Sequence, residues 1–106
     1  MMFDVYTVSQ ILAGNKTVTR RMPGKRVPAV EGKVHRLKID RTEKAYGLIL
    51  INSVTIEPLS NVTDDEAIKE GFNNRRHYLN YFKHLNGDVD EENQLVWRIS
   101  FEYLGI

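Results

Sequence analysis

From Leu95 to Tyr103 the chain reads as one strand, with Leu95, Trp97, Ile99, Phe101 and Tyr103 spaced around Arg98, Ser100 and Glu102. A period of two over that length makes one apolar face and one polar face. Such a strand is not stable alone, so the fold must supply strands to pair with it and a layer to cover its apolar side. The covering layer is expected to be the two helices that precede it, with Trp97 and Phe101 buried beneath them.

The partners are legible upstream. Tyr46–Glu57 is a second strand, with Leu48, Leu50, Val54 and Ile56 on one face and Ile49 and Ile51 on the other, a pattern of burial on both sides. Val34–Asp40 is a weaker strand, and Phe3–Tyr6 a short one. Between the two long strands Thr63-Asp64-Asp65-Glu66 is a capping box opening a helix that runs to Glu70, where Gly71 stops it. A second helix follows over about 74–85, with Tyr78, Leu79, Phe82 and Leu85 as its core stripe and Asn86-Gly87 as its end. Early in the chain Val8–Ala13 is a short helix, started by Thr7 or Ser9 and closed by Gly14. Strands do not alternate regularly with crossover helices. The expected class is therefore α+β, a small mixed β-barrel with flanking helices, in one domain over residues 1–106.

The 106 residues are 42% hydrophobic, enough for a single core. There is no cysteine, which excludes disulfides and thiolate metal sites. The three histidines, 35, 77 and 84, have no ligand-like spacing, so neither a metal nor any other cofactor is expected. No apolar run approaches the roughly 20 residues of a membrane helix, and no signal peptide is visible. A soluble, cytoplasmic protein that does not engage membranes is expected.

Charge is unevenly spread. Residues 1–44 carry ten Lys and Arg against four acids, a net +6, while residues 45–106 carry five against ten, a net −5. A basic half can present a positive face to a polyanion. Its densest part is Gly14-Asn15-Lys16-Thr17-Val18-Thr19-Arg20-Arg21, followed by the Pro/Gly loop that holds Lys25 and Arg26. One reading of the motif is a solvated edge strand blunted by its cations. The other is a site whose hydroxyls, ammonium and guanidinium forks suit a phosphate or a nucleobase. Lys16 alone has a bland role available, neutralising the end of the preceding helix. Glu70 breaks a local rule, since it sits at the negative end of its helix dipole, a placement that suits proton transfer as well as a tolerated surface cost.

Together these motifs carry a resemblance. Ile11-Leu12-Ala13-Gly14-x-Lys16-Thr17-Val18-Thr19-Arg20-Arg21, Val30-x-Gly32, Leu59-Ser60 and Thr63-x-x-x-Ala67-x-x-Glu70-Gly71-Phe72, in that order before a hydrophobic closing strand, resemble an ASCH domain of the PUA-like superfold. The resemblance implies a small β-barrel with a cleft lined by the first motif and a ligand that is RNA, a nucleotide or a modified nucleoside. It implies Lys16, Thr19 and Glu70 as a catalytic set if the chain is an amidohydrolase acting on N4-acetylcytidine. Thr17, Arg20, Arg21, Lys25 and Arg26 are the residues expected to bind substrate or RNA. A non-catalytic RNA-binding module and a ribonuclease acting on single strands are the alternatives. Thr19 as nucleophile, Lys16 as its base and Glu70 as proton shuttle make coherent chemistry. Positions 16 and 19 face opposite sides of a regular strand, however, so their convergence requires an irregularity.

Overall fold

The structure, a computed structural model, describes residues 1–106. In chain order it runs α1 (Val5–Leu12), β1 (Val18–Arg21), β2 (Val34–Arg36), β3 (Leu48–Pro58), a 3-10 turn (Leu59–Asn61), α2 (Asp64–Lys69), α3 (Arg75–Asn86) and β4 (Leu95–Gly105). The two long strands predicted from the sequence pair with each other, Ile51 opposite Phe101 and Val54 opposite Ile99. All pairing is antiparallel and the strand order is β1-β4-β3-β2.

The α+β class holds, but the sheet is open and does not close into a barrel. Closure would need β1 and β2, the two outer strands, to pair with each other. They span four and three residues, and each meets only its long neighbour. Short bridges extend the pairing just beyond each outer strand. Lys16 bridges to Glu70 beside β1, and Met2 bridges to Lys38 beside the end of β2.

Phe3–Tyr6 is not a strand. The Asp4 carboxylate accepts from the Thr7 amide at 2.8 Å and caps α1, which therefore begins earlier than Thr7 or Ser9. Thr63 caps α2 by accepting from the Glu66 amide, but the Glu66 side chain does not turn back to close the box. It is held elsewhere, by Arg20 and Arg98.

The core has two parts, one on each face of the sheet. Ile49, Ile51, Ile99 and Phe101 pack with Phe3, Val8, Ile11, Ala29 and Leu37, so this face lies under α1. Val96 packs on the other face with Leu59, Val62, Ala67, Phe72, Tyr78, Leu79 and Phe82, under α2 and α3. Phe101 is thus buried beneath α1 and not beneath the two later helices, and Trp97 is only half-buried at the border of the first cluster. The large residues of the alternation fill the α1 face, whereas from β4 one valine on the opposite face packs against α2 and α3. In β3 an irregularity between Ile51 and Ser53 shifts the register, so Ile49 and Ile51 before it share a face with Val54 after it. Leu48, on the opposite face from Ile49, falls outside the core; Ile56 shares the face of Val54 but lies beyond the cluster, opposite Trp97, and is exposed, as is Leu85 of α3.

Candidate functional site

Gly14, at φ +82°, ends α1 and turns the chain towards the end of α2. Backbone bonds from Lys16 to Gln10 and from Thr17 to Lys69 then fix the segment entering β1. The Lys16 ammonium spends its three protons on Oε1 of Glu70 at 2.7 Å, the Glu70 carbonyl at 3.1 Å and the Val18 carbonyl at 2.9 Å. Lys16 is 3% exposed and Glu70 1%. A pair removed from water to this degree is stable only when every remaining donor is satisfied, as here. Burial is the largest influence on the Lys16 pKa and lowers it. Glu70 opposes the shift, while Arg21 and Arg20 add to it.

Arg20 holds the other oxygen of Glu70, Nη1 to Oε2 at 3.0 Å. Its side chain is fully buried, and its remaining donors reach Glu57 and Glu66. The register explains this crowd of acids. Arg20 stands directly opposite Arg98 on β4, a repulsive cross-strand pair unless anions lie between. Glu66 takes bonds from both guanidiniums. The Arg98 bond is the largest influence on the Glu66 carboxyl, and with Arg20 it overcomes burial to hold the pKa at about 2.

Thr19 points to the opposite face of β1, level with Ile99. Every fully buried side-chain nitrogen and oxygen in the chain is hydrogen-bonded. The Thr19 hydroxyl makes no bond within the protein; although the residue is only 4% exposed, that hydroxyl therefore reaches open space. The space is a pocket of about 410 Å³, lined by Thr19 together with Lys16, Arg20, Arg21 and Glu70. The irregularity that brings positions 16 and 19 to one place is the departure from strand geometry before Val18, where Lys16 bridges to Glu70 and not to β4.

Most of the remaining lining is aromatic or apolar, including Phe3, Tyr78, Tyr81 and Phe82, with Asp4, Thr7 and Asn86 adding polar groups. Tyr81 donates to Asp4 at 2.5 Å and ties α3 to the start of α1 across the pocket. Burial, then the negative charge of Glu70, pushes the Tyr78 phenol well above its ordinary value, so it stays a neutral donor.

The predicted binding residues separate into four environments. Arg20 is not the exposed rim residue expected but a buried cation enclosed by three carboxylates. Arg21 lines the pocket. Thr17 is exposed and borders a neighbouring groove with Lys69, Arg98 and Ser100. Lys25 and Arg26 are exposed on their loop and line neither the pocket nor that groove. Sequence reasoning missed Glu57, Glu66 and Arg98, which set the charge of the site, and Tyr78 and Tyr81, which wall it. The two tyrosines were readable as one side of α3. The acids were hidden because their partners come from strand register, which the linear sequence does not display. No group of three or more His, Asp or Glu is arranged to hold a metal ion, and no helix is long and apolar enough to cross a membrane.

Residues 2–104 match the family model described as ASCH domain. Among solved structures, the ASCH domain from Lactobacillus crispatus superposes with a TM-score of 0.73 at 19% identity, covering 100% of this chain and 77% of that one. A protein from Enterococcus faecalis superposes with a TM-score of 0.70 at 18% identity, covering 96% and 71%. At these identities the likeness concerns the fold. No curated protein sequence matches.

Proposed function

The chain belongs to the ASCH domain family, and on that premise we propose that its pocket receives one nucleobase, from single-stranded RNA or from a modified nucleoside. ASCH domains are RNA-associated in general. The observation that carries the reading is the composition of the pocket lining, in which the aromatic side chains Phe3, Tyr78, Tyr81 and Phe82 accompany the polar Lys16, Thr19 and Glu70. Unstacked bases are recognised by stacking on aromatic rings combined with hydrogen bonds to their edges. The volume lies within the range of about 300–1,000 Å³ usual for small-ligand sites. Thr19 offers a hydroxyl with both donor and acceptor capacity, and Glu70 keeps lone pairs beyond those that Lys16 and Arg20 use. That pair suits a base edge carrying an amine or amide N–H next to an acceptor.

The burial-lowered pKa of Lys16 favours a second reading, hydrolysis of an N-acyl nucleoside such as N4-acetylcytidine. In that reading the proton on the 2.7 Å contact passes from Lys16 to Glu70, which frees the amine as a base. Thr19 Oγ1 attacks the acyl carbonyl as Lys16 takes its proton. The leaving amine takes the proton from Glu70, and water then cleaves the Thr19 ester, releasing the acid and restoring the hydroxyl. No hydrogen bond joins Thr19 to Lys16 in the structure, and all three ammonium protons are otherwise engaged. Recognition is therefore the better-supported role.

Titration with single-stranded RNA at two salt concentrations, beside incubation with N4-acetylcytidine followed by chromatography, tests both. Saturable RNA binding that weakens with salt is the expected result. Absence of binding to RNA and to every nucleoside at low salt would overturn the proposal. Release of cytidine and acetate would establish the hydrolytic reading.

A further inference from the structure

The cations of the pocket wall are not equivalent. Lys16 is paired with Glu70, and Arg20 with Glu57, Glu66 and Glu70. Arg21 has no carboxylate within salt-bridge distance, although it is half-buried, in contact with Met2 and Phe3. Its one hydrogen bond runs from Nη2 to the Met2 carbonyl at 2.8 Å, and its guanidinium carbon lies 4.7 Å from the centre of the Phe3 ring. These contacts fix the plane of the fork without neutralising it, and they leave most of its five N–H donors unspent. A half-buried guanidinium without an anion is unusual, because such charges are ordinarily paired. The charge cannot be shed, since arginine remains protonated in proteins.

We infer that Arg21 is the seat of an anionic group on the ligand, so that the pocket takes a phosphate-bearing nucleotide in preference to a neutral nucleoside. This inference rests on the nucleobase reading of the pocket and narrows its substrate class. A planar fork held in place by a ring and a carbonyl is suited to bidentate recognition of a phosphate, and the pre-set geometry lowers the entropy lost on binding. Arg20, its neighbour in sequence, does not fill this role, because its charge is already balanced by three carboxylates. The phosphate belongs either to a free mononucleotide or to the backbone of a single strand; both present the same doubly accepting oxygens.

The experiment compares affinities of the full chain for each of the four nucleosides, for the matching 5′- and 3′-monophosphates, and for a short single-stranded RNA. The monophosphate of the preferred base should bind about tenfold or more tightly than its nucleoside, the value of a charge-assisted hydrogen bond. Arg21→Gln should bring that ratio near one, and Arg21→Lys, which keeps the charge but loses the fork, should restore part of it. Arg41→Gln, an exposed cation elsewhere, should leave the ratio unchanged. Circular dichroism of each variant establishes that it folds. If RNA and mononucleotide both show the Arg21-dependent gain, the seat accepts either source; a gain confined to RNA assigns it to the backbone. Equal affinity for nucleoside and monophosphate in the intact chain, together with RNA binding that Arg21→Gln leaves unchanged, would overturn the inference while leaving the nucleobase reading in place. Failure of every nucleoside, nucleotide and RNA to bind would remove both.

Discussion

Nζ of Lys16 lies 2.7 Å from Oε1 of Glu70, joining the segment after α1 to the end of α2 across 54 positions of sequence. Both residues are buried; Glu70 is the one carboxylate that balances the Lys16 charge, while Glu70 is balanced by Lys16 and Arg20 together. Lys16→Met or Glu70→Gln should destabilise the fold by about 3–5 kcal/mol, the usual cost of breaking a buried pair from one side. The double variant should cost clearly less than the two single losses combined, because the orphaned charge disappears. Urea denaturation of the three variants measures this. Additive losses would show that the two residues act independently.

The pair also marks what the sequence makes legible. Lys16, Thr19 and Glu70 were visible as a motif and an anomaly: a cation-rich stretch without acids, and a carboxylate placed against its helix dipole. All three line one pocket. The surroundings were less visible. Arg20 looks like Arg21 in the sequence, and both line the pocket, but alternate strand positions send one among carboxylates under α2 and leave the other without one. The long strands and the two later helices follow from periodicity. The open sheet does not, since closure depends on whether two short outer strands meet in space. The shift in β3 near Asn52 likewise exchanges core and surface positions without any glycine or proline to announce it.

Arg20 should behave as a structural residue. Arg20→Ala leaves three carboxylates facing one another around a cavity, and a stability loss of several kcal/mol is expected. Lys25→Glu and Arg26→Glu, on the exposed loop, should change stability by no more than about 0.5 kcal/mol. Thermal melts of the three variants compare them directly. A stable Arg20→Ala protein would contradict a structural role for Arg20 among its three carboxylates.

Acid stability should depend on Glu66. Its carboxyl titrates at about 2 in the folded chain against an ordinary 4.5. The folded value is the lower one, so the stabilisation is complete above the ordinary value. It is lost progressively as pH falls from about 4.5 through about 2. In Glu66→Gln that part of the fall should be missing, with lower stability at neutral pH. Denaturation midpoints at several pH values test this; parallel profiles for both proteins would count against it.

The two-sided core makes a packing prediction. Phe101→Ala removes a ring buried under α1 and should cost about 3–5 kcal/mol. Trp97→Ala, at a half-buried border position, should cost less despite the larger side chain. Chemical denaturation orders the two. The reverse order would place Trp97 in the core after all.

The central claim, that the Thr19 pocket receives a nucleobase, is tested most directly by calorimetric titration of nucleosides and single-stranded RNA into the intact protein and Thr19→Val. The substitution keeps the shape and removes only the hydroxyl, which has no partner inside the protein, so the melting temperature should not change. Affinity for the preferred base should fall by roughly two- to tenfold, the value of one neutral hydrogen bond. Identical isotherms for the two proteins would contradict the claim.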